Sequence, residues 1–242
     1  MTDQTTHDVM VEQTQKTQEL IDYFQGFRGS ADQSIEQIRA SLSVKFYVNE
    51  PLGNDEAAGS EATPLKTFAE AISRVPSGAI GTIVHKTSMT LSERIDTRAR
   101  SLIFEAFPSV APAFKSGWYL DNEGLYRPGQ INFAGGYGSV AFNGVGMHFE
   151  TMPAGTKADD YACGVFTTNS LTPPIFVGLF GCAITRNPGA VASLIAASSD
   201  TATLNVSTDV TYSSAMDGYW FAGVPSGTNR SATRYNTNIV SL

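Results

Sequence analysis

Any hydrolytic or lyase chemistry in this chain would rest on its carboxylates. In the second part of the sequence these are Glu93, Asp96, Glu105, Asp121, Glu123, Glu150, Asp159, Asp160, Asp200, Asp209 and Asp217. Glycosidic cleavage needs two carboxyl groups about 5 to 9.5 Å apart across a groove, and a lyase needs a base beside a charge stabiliser. No spacing here sets out such a pair. The adjacent Asp159 and Asp160 would point to opposite faces of a strand, and after Gly155, Thr156, Lys157 and Ala158 they read as a solvated loop. His7 lies in a polar leader, while His85 and His148 sit in strand-like stretches as core or outward-facing positions. Cys163 and Cys182 read as a buried pair of stacked thiols, since no cysteine and histidine spacing fits zinc. Asn54 and Asp55 lack the alternating oxygen ligands of a calcium loop and read as turn formers. The expectation is therefore no catalytic residue, no metal site and no cofactor, and a chain that leans away from enzymatic function.

The aromatic residues suggest other chemistry. Trp118, Tyr119 and Tyr126 are interleaved with Asp121, Asn122, Glu123 and Arg127, and Tyr137 stands among glycines. Flat rings beside hydrogen-bonding groups suit a hydroxylated, flat-faced sugar, which makes these four the candidate glycan-binding residues. Packing between copies of the chain is an equal alternative for each of them.

The elements that would position these groups fall into two regions. From Asp8 to Leu42 there is no proline, and Met10, Gln13, Thr17, Leu20, Phe24 and Phe27 recur at alternating three- and four-residue steps. Gly26 and Gly29 interrupt this pattern, and Ser30 with Gln33 can start a second helix bearing Ala31, Ile35, Ile38 and Leu42. So narrow a stripe buries little in one copy, which makes Leu20, Phe24, Phe27, Ile35, Ile38 and Leu42 a candidate oligomer interface. Packing on the chain's own downstream domain is the alternative. The pattern changes near Ser43, setting residues 1–43 apart from 44–242. Phe46 and Val48 alternate as a strand, a loop follows, and Thr67 with Glu70 can cap a helix over about 67–75. Beyond Ile80 come short β-prone stretches: Thr82–His85, Leu102–Phe104, Ile131–Phe133, Val140–Phe142, Met147–Phe149, Ile175–Phe180, Ala202–Val206 and Tyr219–Phe221. Solenoid, sandwich and barrel all fit that composition.

Charge narrows the partners. There are 16 Lys plus Arg against 23 Asp plus Glu, a net charge of -7, and the basic residues are scattered, which argues against nucleic acid. No apolar run approaches the roughly 20 residues that span a bilayer, so membrane insertion is not expected.

The run Phe46, Tyr47, Val48, Gly53, Asn54, Asp55, Gly59, Pro64, Leu65, Lys66, Thr67, Phe68, Ala71 and Ile72, closing with Val75, Pro76, Ser77 and Gly78, resembles the entry segment of right-handed parallel β-helix domains. These pectin-lyase-like folds occur in polysaccharide-acting enzymes and in bacteriophage tail spikes and fibres. The stretch from Gly181 to Asn187 is similar to one rung of such a solenoid. The resemblance implies a mainly β fold, with a short right-handed β-helix behind an N-terminal helical attachment segment. It implies a homotrimer in a virion tail, contacts with other tail proteins, and host surface polysaccharide as a receptor or, alternatively, a substrate. Family catalytic motifs have no counterpart here, and none is carried over.

Overall fold

The computed structural model describes residues 3–97, 100–134, 138–153, 163–168, 175–197, 202–229 and 235–239. Two compact units divide the chain, Met1–Leu42 and Ser43–Leu242. The fold is mixed, one N-terminal helix followed by a mainly β region of parallel sheets.

The first unit is a single helix, α1 (Asp3–Leu42). The expected break at Gly26 and Gly29, with a fresh start at Ser30, does not occur. Each glycine costs about 1 kcal/mol in a helix interior, but without a proline nothing forces the hydrogen-bond ladder to stop. Continuity has a consequence for the stripe. Ile38 lies 18 residues after Leu20, about five turns at 3.6 residues each, so both halves of the stripe share one face. Leu20, Phe24, Phe27, Ile38 and Leu42 are all exposed, Phe27 by 66%. The side chain of Ile35 lies outside the described residues.

In the second unit, β1 (Ser43–Val48) leads through a loop to α2 (Phe68–Ser73), and strands then arrive in a fixed order. The first pass is β2 (Ile80–His85), β3 (Met89–Leu91) and β4 (Arg94–Thr97). The second is β5 (Ser101–Ala106), β6 (Ala113–Ser116), an inserted hairpin of β7 (Trp118–Leu120) and β8 (Tyr126–Pro128), and β9 (Gln130–Phe133). Two more passes follow, β10 (Gly138–Asn143), β11 (Gly146–Phe149) and β12 (Gly164–Thr168), then β13 (Ile175–Phe180), β14 (Ala183–Arg186) and β15 (Ser193–Ala197). The last strands are β16 (Ala202–Val206), β17 (Thr211–Tyr212) and β18 (Asn236–Thr237).

The first member of each pass joins sheet A, in the order β1-β2-β5-β10-β13-β16-β18. The second joins sheet B (β3-β6-β11-β14-β17) and the third sheet C (β4-β9-β12-β15). Pairing within all three is parallel, and among the described residues only the hairpin is antiparallel. Ile80 pairs with Ser101, 21 residues on, but Ser101 with Ser139, 38 residues on, because later passes carry the hairpin and longer connections. The Tyr219–Phe221 stretch, expected to be a strand, contributes one parallel bridge from Phe221 to Ile195.

Register fixes the core. Ile83, Phe104, Phe142 and Leu179 stand in line on sheet A, all fully buried. The Phe142 ring stacks on Phe104 at 4.8 Å and meets Phe114 of β6 at 5.4 Å and Phe166 of β12 at 5.8 Å, joining all three sheets. His85 lies in the same interior, 5.0 Å from Phe68 and 5.5 Å from Phe104. The two cysteines are buried thiols with no disulfide between them, and they are not stacked on each other: Cys163 precedes β12 of sheet C and Cys182 precedes β14 of sheet B. Burial pushes the Cys182 thiol up to about 11, so it is an inert core group at neutral pH.

The α2 region follows its cap chemistry with one change. Thr67 Oγ1 accepts the Glu70 N–H at 3.2 Å. Glu70 does not reach back to Thr67; it binds Arg74, and Asp55 takes its place, accepting from the Lys66 and Thr67 N–H groups at 2.8 and 2.9 Å. Asn54 accepts from the Glu56 N–H at 3.0 Å, so both loop residues serve backbone hydrogen bonding. Phe68, Ala71 and Ile72 are buried, and α2 packs against β1, β2 and β4.

Candidate functional site

The β7–β8 hairpin emerges between sheets B and C. Asp121 shapes its turn, accepting from the Glu123 and Leu125 N–H groups at 2.9 and 2.8 Å, and its other oxygen takes the Arg127 guanidinium at 2.8 Å. That arginine, followed by the backbone donors, holds the Asp121 carboxyl below the usual carboxylate range. At the hairpin base, Gly129 donates to Gly117 O at 2.7 Å and Gly117 to Leu91 O at 2.9 Å. A Cβ on Gly129 would sit 1.8 Å from Leu91 O, so only glycine permits this approach. Gly129→Ala should displace the hairpin and cost at least 1–3 kcal/mol, read as a lower denaturation midpoint and altered tryptophan fluorescence from Trp118.

The hairpin aromatics have distinct roles. Trp118 is half-buried against the core and donates from Nε1 to Glu150 O at 3.3 Å, so much of its ring is structural. Tyr119 donates its hydroxyl to Gln130 Oε1 at 3.3 Å. Burial raises its pKa, and Arg94, Arg127, Asp121 and Asp96 are all near enough to bias it, which places four charges around one phenol. Tyr126 pairs with Leu120 and is half-buried. Tyr137 lies outside the described residues. Trp220 is fully buried, and the Arg186 guanidinium lies 3.2 Å from the centre of the Tyr219 ring, so neither offers a free sugar platform.

Beside the hairpin, strand register collects residues that sequence reading did not group. Asp96, Asn132 and Thr167 are in line across β4, β9 and β12. Asn132 Nδ2 donates to Asp96 Oδ1 at 2.7 Å, Thr167 Oγ1 to Asn132 Oδ1 at 3.1 Å, and Arg94 Nε to Asp96 at 3.0 Å. The available signal was period two: Arg94 and Asp96 alternate with Ile95, and Gln130 and Asn132 with Ile131 and Phe133, which puts these four polar residues on one face. Asn132, Thr167 and Gln130 are themselves buried, so of this polar row Arg94 and Asp96 alone reach the surface beside Tyr119.

The Arg127 guanidinium beside Asp121 holds its carboxyl in the ionised form, the opposite of what a general acid needs, and Asp96 is paired with Arg94 at 3.0 Å. A separate cleft beside α2 has Glu50 and Glu93 on its rim, but its volume of about 100 Å³ is well below the roughly 300 Å³ at which ligand pockets begin. His148 contacts Thr185 Oγ1 at 2.7 Å and lies 3.7 Å from Glu150, so of the two positions open to each strand histidine it takes the outward one and His85 the core one. No cluster of three or more metal-binding side chains occurs among the described residues.

Comparison with protein-family models, with curated proteins and with solved structures gave no match. The class defined by fold and site is thus a helix-led, parallel-sheet protein whose sheet C ends at β4 in an exposed Arg94–Asp96 pair beside the β7–β8 hairpin.

Proposed function

We propose that the second unit is a short right-handed parallel β-helix closed at one end by α2, and that the chain is a structural subunit of a bacteriophage tail fibre or spike. In this reading α1 joins copies of the chain, most simply three, and anchors them to other tail proteins in the virion. The observation that carries it is the uninterrupted face of α1, where Leu20, Phe24, Phe27, Ile38 and Leu42 stand exposed immediately ahead of β1. A solvated helix has no use for such a face, whereas a bundle of helices buries it. Right-handedness follows from the strong chirality preference of parallel crossovers, and α2 covers the strand edge that the first pass would leave open. The solution mass should be a multiple of one chain, and Phe24→Asp with Ile38→Asp should reduce it to a single chain while the β spectrum is unchanged. An unchanged mass in that variant would remove α1 from the assembly.

A second reading, recognition of host surface polysaccharide, is favoured by the half-buried Tyr119 ring beside the exposed Arg94–Asp96 pair. Tyr119→Ala should weaken binding of the full-length protein to host capsule or lipopolysaccharide at least tenfold, corresponding to loss of one ring contact and its hydrogen bond. Release of shortened saccharide would move the reading to a depolymerising spike.

A further inference from the structure

We infer that the outward face of sheet A is a second contact surface between copies of this chain, an inference that rests on self-association through α1. Across β1, β2, β5, β10, β13 and β16 the outward positions hold two charged residues, Lys45 and Glu105, and these pair with each other at 3.2 Å. The other sheets differ. Sheet B turns Lys115 and His148 outward, and sheet C carries Arg94 and Asp96. Charge has thus been withdrawn from one face of a chain whose net charge is -7.

Large apolar groups remain exposed on that face. Phe176 is 53%, Ile80 44% and Phe180 37% exposed. Between the two phenylalanines, Gly178 aligns with Ala141 and Ile103 to form a low row, and a Cβ on Gly178 would come within 2.7 Å of the Phe180 ring. The small residue lets that ring lie down on the sheet, which keeps the surface flat.

Two properties select another copy as the occupant. Two acidic chains can approach only where local charge cancels, and here Lys45 and Glu105 cancel within each copy. The remaining polar outward groups, among them Ser101, Ser139, Asn143, Thr203 and Asn205, carry both donors and acceptors, so the face can hydrogen-bond to its own duplicate. Six strands about 4.8 Å apart, with about five residues each at 3.3 Å, give roughly 450 Å² per copy, about half of the roughly 800 Å² of a stable interface. The face therefore reinforces the association through α1 and does not replace it.

Full-length protein with Ser139→Cys, on β10 of this face in register with Phe176, should be joined into dimers by a short bis-maleimide, while Lys115→Cys on sheet B should not. The native cysteines are buried and stay silent. Phe176→Asp with Phe180→Asp should raise the concentration at which the assembly dissociates at least tenfold. If the protein assembles but Ser139→Cys fails to cross-link, or cross-links no better than Lys115→Cys, or the aspartate pair dissociates as wild type does, the sheet A contact is overturned and the α1 reading stands. A single-chain mass for the wild-type protein overturns both.

Discussion

Phe142→Ala should lower the stability of the β unit by about 3–5 kcal/mol, the range for deleting a fully buried phenylalanine. The ring is in face-to-face contact with Phe104 and also touches Phe114 and Phe166, so its removal opens a cavity shared by all three sheets. Flanking rings on fixed parallel strands cannot close in, because each is held by register to the strands on either side. Chemical denaturation followed by far-ultraviolet circular dichroism measures the loss. A cost below about 1 kcal/mol would show that the sheets are not packed on a common core.

The second large effect is acid lability from His85. The imidazole is fully buried among Phe68 and Phe104, and neither ring nitrogen has a hydrogen-bond partner. Burial drives its pKa down to about 3. The unfolded chain takes up this proton below about 6.5, while the folded chain resists until about 3, so the unfolded state binds more protons in that window. Stability is complete above pH 6.5 and falls as pH drops, by about 2 kcal/mol between pH 7 and 5 from this group alone. His85→Leu preserves the apolar contacts and removes the titration. Wild type and variant should therefore diverge progressively below pH 6.5, with the variant the more acid-stable, and parallel pH profiles would contradict the burial of a neutral histidine.

What the sequence revealed follows from which residues see solvent on one side. The stretches at Thr82–His85, Leu102–Phe104, Val140–Phe142, Ile175–Phe180 and Ala202–Val206 all fall in sheet A, where one face is core and the other is open, and alternation is visible. Strands β12 and β15 escaped notice because every residue in them is buried, which erases the period of two, and β3 and β17 are too short to show one. The cap at Thr67 was legible because capping is local chemistry, yet Asp55, twelve residues away, completes it through tertiary contact. The break assigned to α1 shows the opposite error: two glycines weaken a helix without ending it.

The candidate site divides in the same way. Tyr119 and Tyr126 could be singled out by residue type, and Asp121 and Arg127 by nearness in sequence. Nothing local joins Asp96 to Asn132 and Thr167, which are 36 and 71 positions away and meet only because parallel strands stack in register.

The most direct test is a cryo-electron microscopy reconstruction of the full-length protein with the chains in each particle counted. The account predicts several parallel copies, most simply three, joined by a helical bundle with Leu20, Phe24 and Ile38 at its centre, each leading into a right-handed stack of three-sheet coils. A lone chain with those three residues facing solvent or its own sheets would contradict it.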